Sequence, residues 1–168
     1  VKFDEQEFAW LAQRLGQPDV DACSDPMGNN ALAPVFYSLL QDCCSQNWAG
    51  HHTWCNADFH QLYRILQHYR LQRQQHHPET AATFCVPAWM DRPWWRMLKG
   101  MHVAAMYPAG EQLFTAPDWH SLERKDGRLG LGGERQSAGG TTWPVLIVYS
   151  PPPCRQGAHS SSRVRGAG

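Results

Sequence analysis

Two stretches of the sequence constrain the fold most strongly, because each predicts a short strand with a polar end. The first runs from Asp19 to Asn30 and the second from Thr53 to Phe59. Each begins with a few apolar residues and continues into carboxylate or carboxamide side chains and a turn. In open α/β sheets, ligands bind beyond the carboxyl ends of the strands. Two neighbouring polar strand ends therefore predict a binding site at one edge of such a sheet.

Hydrophobic periodicity predicts the remaining elements. Helical stripes occupy 4–15 and 58–73, where the pairs Asp4 with Glu7 and Asp58 with Gln61 have the spacing of a capping box. Asp91 is expected to cap a further short helix. Strands are predicted at 20–23, 54–55, 81–87, 103–107, 113–115 and 144–149. Helices separate the early strands but not the late ones, so we expect an α/β fold with a mixed sheet and an antiparallel edge.

Length and composition favour a single domain at 1–152. A chain of 168 residues with 42% hydrophobic content can bury one core. Within that domain, 117–141 is rich in glycine and charge without periodicity, which predicts a long loop. The prolines, glycines and serines of 153–168 predict a disordered tail.

Charge and hydropathy restrict the partners of the chain. Fifteen basic residues balance fifteen acidic residues, so no global field draws the chain to nucleic acid or to a membrane surface. No apolar run approaches the roughly 20 residues of a membrane span, and no signal-peptide segment is recognisable. The six cysteines lack disulfide spacing, so an intracellular, reducing location is predicted. A first residue other than Met suggests a fragment or an excised domain, and a larger polyprotein is one source that would fit.

Three segments in order resemble a known protein family. They are DVDACSDPMGNNALAPVFYS at 19–38, WCNADF at 54–59 and FCVPAW at 84–89. Together they resemble phage-type, Dam-like DNA N-6-adenine methyltransferases, and more closely the related domain found beside reverse transcriptase in algal and other eukaryotic retroelements. The resemblance extends over about 3–152 and includes LKGMHVAAMYPAGEQLFT and WPVLIVYSPP.

The resemblance implies a Rossmann-like fold of the methyltransferase type, in which helices flank a mixed sheet. It also implies that the chain uses S-adenosylmethionine. The cofactor-binding residues would be Asp19, Asp21 and Asn30, because acidic strand ends accept hydrogen bonds from ribose or ammonium groups. The alternative for Asp19 and Asp25 is that their carboxylates only cap turns, and this alternative is favoured for Asp25.

The second strand end would hold the target base. By the resemblance, the Asn56 side chain and the Ala57 carbonyl would accept hydrogen bonds from the adenine amine, and Phe59 would stack on the base after it leaves the helix. The alternative for Phe59 is ordinary core packing. Trp89, Trp94 and Trp95 are further candidates for the wall of a base pocket.

One motif departs from the family pattern. Where the family has two prolines after the asparagine, this chain has Ala57 and Asp58. Ala57 lacks the ring that restricts φ, and Asp58 adds negative charge where an anionic DNA strand must enter. Because a misplacement of about 1 Å can cost about 100-fold in rate, the departure predicts impaired transfer.

A local patch of basic side chains supplies the possible contact with DNA. Arg64, Arg70 and Arg73 lie on one predicted helix that has no acidic residue between 60 and 77. These arginines would contact phosphates beside a flipped-base pocket; the alternative is an ordinary solvated helix face.

No metal site is predicted from cysteine and histidine spacing. Cys43, Cys44, His51, His52 and Cys55 fall within thirteen positions, but adjacent pairs without a C-x-x-C knuckle fit structural zinc poorly. Partly buried thiols with surface histidines are favoured, and a zinc-stabilised module remains an alternative.

Two functional classes follow from these observations. The first is a DNA adenine methyltransferase-like domain of retroelement origin, dependent on S-adenosylmethionine if active, with an altered motif. The second is a non-catalytic nucleic-acid-binding or structural module of a retroelement polyprotein.

Overall fold

The computed structural model describes residues 1–117, 135–137 and 139–153. Within this part of the chain there are two α-helices, α1 (Glu5–Leu15) and α2 (Leu62–Arg73). The strands are β1 (Lys2–Phe3), β2 (Val20–Asp21), β3 (Val35–Phe36), β4 (His52–Cys55), β5 (Ala81–Pro87), β6 (His102–Tyr107), β7 (Phe114–Pro117), β8 (Arg135–Ser137) and β9 (Val145–Ser150). Short 3₁₀ helices lie at Cys43–Ser45, Phe59–Gln61 and Pro93–Leu98. Neither α-helix in the described ranges has the length and apolarity needed to cross a bilayer.

The main sheet has six strands in the order β3-β2-β4-β5-β9-β6. The first four strands are parallel to one another, whereas β9 pairs antiparallel with both β5 and β6. The predicted mixed sheet with an antiparallel edge is therefore confirmed. Because β2, β4 and β5 run in the same direction, their carboxyl ends meet at one edge of the sheet.

A second, smaller sheet has the order β1-β7-β8 and is antiparallel throughout. Strand β8 lies inside 117–141, so the prediction of a continuous loop is wrong at 135–137. The backbone pairing of β7 with β8 gives that segment regular structure that its composition does not indicate. The rest of the predicted loop at 118–134 and 138, and the predicted tail from 154 to 168, lie outside the described residues.

The interior strands β4, β5 and β9 of the main sheet are buried on both faces because their side chains alternate between two apolar layers, whereas the edge strands β3 and β6 are partly exposed. On β9, Leu146 and Val148 pack into the layer that includes α2, whereas Val145 and Ile147 pack into the layer that includes α1. The strand predicted at 144–149 is therefore covered on both sides, as its continuous apolar run requires.

Helix α1 begins where its sequence predicts, but half of the expected capping box is absent. Asp4 Oδ1 accepts hydrogen bonds from the backbone N–H groups of Gln6 and Glu7, at 3.0 and 2.9 Å. The Asp4 N–H donates to Leu113 O, and the Glu7 carboxylate accepts from the Tyr107 hydroxyl. The Asp4 N–H and the Glu7 carboxylate, which would bond to each other in a complete capping box, therefore bond to other parts of the fold instead.

Two other predicted caps are not formed. Asp58 precedes the 3₁₀ helix that leads into α2, and its side chain makes no capping hydrogen bond. The element after β5 is a 3₁₀ helix that starts at Pro93, with Arg92 rather than Asp91 in the capping position. Asp58 keeps the N-cap position of its 3₁₀ helix without a capping hydrogen bond, whereas the second 3₁₀ helix starts one residue later than Asp91 would cap.

Candidate functional site

The carboxyl ends of β2 and β4 open into one cavity of about 500 Å³. From the β2 side it is lined by Cys23, Asp25 and Asn30, and from the β4 side by Asn56 and Ala57. The parallel register that pairs Asp21 with Trp54 places these two strand ends side by side. The volume falls within the roughly 300–1,000 Å³ of small-molecule sites. The structure thus brings together the two polar stretches singled out in the sequence.

The loop after β2 is shaped by the carboxylate of Asp25. This carboxylate accepts hydrogen bonds from the backbone N–H groups of Met27, Asn29 and Asn30, at 2.9, 3.1 and 3.0 Å. Gly28, with a φ of 72°, lets the turn adopt the left-handed conformation. The prediction that Asp25 caps its turn is confirmed.

Asn30 lies on the cavity wall with its amide already engaged. Its Oδ1 accepts from the Ser24 hydroxyl at 2.9 Å and from the Asp25 N–H at 2.7 Å, and its Nδ2 donates to Val1 O at 3.1 Å. Asn30 therefore shapes the wall as a cross-link within the loop. Its assignment to cofactor binding stays a prediction.

The buried carboxylate of Asp21 binds both ends of the loop that follows β2. The residue is 3% exposed, and its two carboxylate oxygens accept from the N–H groups of Cys23 and Leu32, both at 3.0 Å. Burial raises the pKa of this carboxyl above its usual value, although the two backbone hydrogen bonds lower it. Asp21 is not among the described residues that line the cavity, so its side chain supports the site from beneath.

Replacing Asp21 with asparagine tests this buried charge through the pH dependence of stability. Because the native carboxyl has a raised pKa, the native state binds the proton more tightly than the unfolded chain does. The free energy of unfolding of the unaltered chain should therefore increase relative to Asp21→Asn as the pH falls from neutral through the raised pKa. Urea unfolding of both proteins across that range measures the difference. A difference that is constant, or that shrinks at lower pH, contradicts the buried-charge description.

Asp19 lies at the amino end of β2, not at the cavity end. Its Oδ1 accepts from the His52 N–H at 2.7 Å, and its Oδ2 lies 2.6 Å from His51 Nδ1. Asp19 does not belong to the described lining of the cavity. Its carboxylate instead joins the start of β2 to the start of β4.

Asn56 and Ala57 form the β4 side of the cavity. Asn56 is half-buried, and within the described part of the chain its side-chain amide has no hydrogen-bond partner. Ala57 is 6% exposed and packs into the apolar layer under α2. The site therefore presents the free carboxamide of Asn56 beside the buried residue Ala57. A free carboxamide can both donate and accept, as the edge of a nucleobase requires.

Phe59 lies in an aromatic cluster at the same edge of the sheet. Its ring centroid is 4.6 Å from that of Trp89 and 5.4 Å from that of Trp143, and the two tryptophans are 4.9 Å apart. All three rings are only partly buried. Trp94 and Trp95 contact each other, at 5.9 Å, and no ring contact joins them to this cluster among the described residues.

Trp143 was not identified from the sequence. It precedes the antiparallel strand β9, whose amino end lies beside the carboxyl end of β5. The sequence carries no local signal for this neighbourhood, because more than fifty residues separate Trp143 from Trp89. Only the antiparallel pairing brings the two indoles together.

The three predicted arginines have different environments. Arg64 binds the Asp42 carboxylate in a bidentate pair, with Nη1 to Oδ1 at 2.9 Å, at the cavity rim. Arg73 donates to Tyr69 Oη, Thr80 O and Pro151 O, so it is a cross-link between α2 and the sheet. Arg70 is exposed. The structure therefore does not present the three guanidinium groups as one phosphate-binding row.

The charge around the cavity is negative. Asp25 and Asp58 line it together with the Asp42–Arg64 pair, and Arg64 is the cationic side chain within the described lining. The hydrogen bonds from Arg64 hold the pKa of Asp42 at about 2. Asp42 and Arg64 were not paired in the sequence analysis, since 22 positions separate them. Such a cavity favours a ligand with positive charge over an anion.

No model of a known protein family matches this chain, and a search of curated proteins finds no match.

Proposed function

We propose that this chain is a DNA adenine methyltransferase-like domain of retroelement origin, with a Rossmann-like fold that binds S-adenosylmethionine. One observation carries the proposal: the polar ends of β2 and β4 share a cavity of nucleoside size. The motif order that resembles the family predicts that these two ends act together. Their common cavity supports that prediction.

The cavity suits the proposed cofactor in size and charge. S-adenosylmethionine carries a sulfonium cation and an amino-acid head, and the carboxylates of Asp25, Asp42 and Asp58 outnumber the two cationic groups of the described lining, the Arg64 guanidinium and the Val1 amino group. A net negative wall lowers the energy of a bound cation. The cofactor, when bound, supplies the methyl group that the family transfers.

Asn56 and Ala57 would orient the acceptor amine. The unpartnered Asn56 amide oxygen and the Ala57 carbonyl are suited to accept the two hydrogens of an exocyclic adenine amine. Holding both hydrogens fixes the direction of the nitrogen lone pair. Alignment of this kind supplies much of the rate of a transfer that needs no strong nucleophile.

The aromatic cluster of Phe59, Trp89 and Trp143 would receive the base. A base that leaves the helix loses its stacking energy, and a partly exposed ring returns part of it. Phe59 follows Asn56 by three positions, and its ring contacts both indoles. The three ring planes meet at 66°, 73° and 79°, so the rings would form the walls of a base pocket in which Phe59 offers one stacking face.

Asp58 weakens the proposed activity. It is exposed at the cavity mouth, and no ion pair or hydrogen bond neutralises its carboxylate among the described residues. An uncompensated carboxylate repels the phosphates of an approaching DNA strand. We therefore propose that the domain retains cofactor binding and has reduced transfer.

A second candidate is a non-catalytic nucleic-acid-binding module. A groove of about 960 Å³ between α2 and the 3₁₀ helix at Pro93–Leu98 carries Arg70, Arg92 and Arg96, and Asp91 is the one acidic residue in its described lining. Three arginines on one groove supply the phosphate contacts on which sequence-independent binding depends. This groove favours the second candidate, because binding of nucleic acid through arginines requires no cofactor.

Calorimetry with S-adenosylmethionine, followed by transfer of labelled methyl to DNA, distinguishes the two candidates. We expect one cofactor per chain, with slow transfer that is lost in Asn56→Ala while cofactor affinity is retained. Asn29→Ala is the matched control, because Asn29 is exposed and outside the described lining. DNA binding without cofactor binding would instead favour the second candidate.

A further inference from the structure

A further pocket of about 390 Å³ lies where the end of α2, the turn after the 3₁₀ helix at Pro93–Leu98 and the end of β9 meet. Ser150 of β9 pairs with Ala82 near the start of β5, so this pocket lies at the opposite end of the strands from the cavity beyond β2 and β4. Besides two methionines, its described lining consists of Tyr69, Arg70, Arg73, Gln74, Lys99, Gly100 and Ser150. This pocket, here called the basic pocket, is therefore separate from the site proposed for methyl transfer.

Three cationic side chains line the basic pocket, and no acidic residue belongs to its described lining. Arg70 and Arg73 come from the last turn of α2, whereas Lys99 follows the 3₁₀ helix. Within the described part of the chain, no carboxylate forms an ion pair with any of the three. Positive charges without a counter-charge repel one another, so an anion between them is stabilised.

A backbone turn places the lysine of the basic pocket. The dipole of α2 favours basic residues in its last turn and so accounts for the two arginines without any ligand, but not for Lys99, which belongs to a separate element. Lys99 has φ and ψ of −57° and 130°, Gly100 has a φ of 88°, and the Met101 N–H donates to Leu98 O at 3.0 Å. These values define a type II turn, which requires glycine at its third position. The turn therefore fixes the backbone of Lys99 beside α2.

Two neutral hydrogen-bond donors complete the lining. Ser150 is 6% exposed, and its hydroxyl oxygen accepts a hydrogen bond from the Tyr69 hydroxyl at 2.8 Å. The Tyr69 hydroxyl in turn accepts from Arg73 Nη1 at 3.2 Å, which leaves the Ser150 hydroxyl hydrogen without an acceptor among the described residues. The Gly100 N–H also has no acceptor in the part of the chain that the structure describes. An anion with several oxygen atoms can accept from both donors.

A phosphate group matches this set of cations and donors. A phosphomonoester carries a charge of about −1.5 to −2 at pH 7 and three strong acceptor oxygens. Guanidinium groups bind phosphate oxygens through paired N–H groups, and a lysine ammonium binds them as a point charge. The volume of about 390 Å³ lies near the lower end of the roughly 300–1,000 Å³ of small-molecule sites, which suits a small anion.

We propose that the basic pocket binds one phosphate group. The Arg70 and Lys99 side chains would supply the positive charge, and the Ser150 hydroxyl and the Gly100 N–H would donate to its oxygens. The group would belong either to a free phosphate or phosphomonoester, or to a nucleic-acid backbone. The inference is independent of methyl transfer, since it requires no S-adenosylmethionine. It also goes beyond the nucleic-acid candidate, because it assigns a discrete pocket beside the groove between α2 and the 3₁₀ helix.

Calorimetric titration of the full chain with inorganic phosphate, at an ionic strength held constant with sodium chloride, tests the basic pocket. We expect one phosphate per chain, because constant ionic strength removes general screening from the comparison. Lys99→Gln and Arg70→Gln should each lower the phosphate affinity by about 10-fold, as expected for the loss of a hydrogen bond to a charged group. Both side chains are exposed, so both variants should fold as the unaltered chain does.

Arg92→Gln is the matched control, because Arg92 is an exposed cation of the neighbouring groove and lies outside the described lining of the basic pocket. Its phosphate affinity should equal that of the unaltered chain. The proposal is overturned if phosphate binding does not saturate, or if Lys99→Gln and Arg70→Gln leave the affinity unchanged. Equal losses in Arg92→Gln and Lys99→Gln overturn it as well, because they would indicate attraction by the surface charge in general.

Competition identifies the source of the phosphate group. If a nucleic-acid backbone is the ligand, a short single-stranded oligonucleotide without terminal phosphates should displace inorganic phosphate and lose affinity in Lys99→Gln. If a phosphomonoester is the ligand, a nucleoside monophosphate should displace inorganic phosphate and that oligonucleotide should not. Saturable phosphate binding that neither compound displaces identifies the inorganic ion as the ligand.

Discussion

Replacing Trp54 with alanine is expected to lower the free energy of unfolding by about 3–5 kcal/mol. Trp54 lies on the interior strand β4 and is 1% exposed. Its ring centroid is 5.1 Å from those of both Phe3 and Phe8, so one indole joins the main sheet to β1 and to α1. Removal of the ring leaves a cavity among three elements that cannot collapse together, which makes the loss large. Urea unfolding followed by circular dichroism measures it.

Trp10→Ala is the matched control for that experiment. Trp10 is on α1 but 41% exposed, and its ring stacks only with the Arg14 guanidinium, at 3.8 Å, within the described contacts. Losing an exposed cation–π contact costs about 0.5–1 kcal/mol. Equal losses of unfolding free energy in the two variants would show that Trp54 is not the contact that holds β1 and α1 against the main sheet.

Asp58→Pro is expected to raise the rate of methyl transfer to DNA by about 100-fold. The substitution removes the unneutralised carboxylate and restricts the backbone next to Ala57. The backbone at position 58 suits proline, because its φ is −58° and proline requires about −65°. No acceptor takes the Asp58 N–H within the described part of the chain, so the ring sacrifices no hydrogen bond there. Transfer of labelled methyl to DNA, at saturating cofactor, measures the change.

Asp58→Asn separates the two effects of the proline. It removes the charge and leaves the backbone unrestricted, so its rate should lie between those of the unaltered chain and Asp58→Pro. Asp91→Asn controls for a general gain in DNA affinity, because Asp91 is an exposed acidic residue in the groove that carries Arg70, Arg92 and Arg96. If Asp58→Pro binds cofactor and DNA but transfers no faster than the unaltered chain, Asp58 is not the cause of the impairment.

Much of the architecture was predictable because periodicity is a local property. The apolar stripe ending at Leu15 and the run from Val145 to Tyr149 both identify elements that the structure contains. The helix starts at Asp58 and Asp91 were not predictable in the same way. There the chain enters a 3₁₀ turn whose hydrogen bonding depends on what packs beside it.

The candidate site was predictable in outline only. The shared cavity follows from parallel strand ends, so Asn30 and Asn56 could be placed together from the sequence. The roles of individual carboxylates could not. Asp19, Asp21 and Asp25 look alike in sequence, yet one joins two strand starts, one is buried under a loop and one caps a turn.

The sequence by itself determined the two α-helices, the strands β2, β4, β5, β6, β7 and β9, and which strand ends are polar, since those properties depend on neighbouring residues; the short strands β1, β3 and β8 have no such local signal. Only the tertiary structure decided which distant side chains meet. Trp143 joins Phe59 because β9 runs antiparallel beside β5, and Cys23 joins Cys55 because β2 runs parallel beside β4. Strand pairing is set by burial over the whole chain, and a spacing rule applied to one segment contains no information about it.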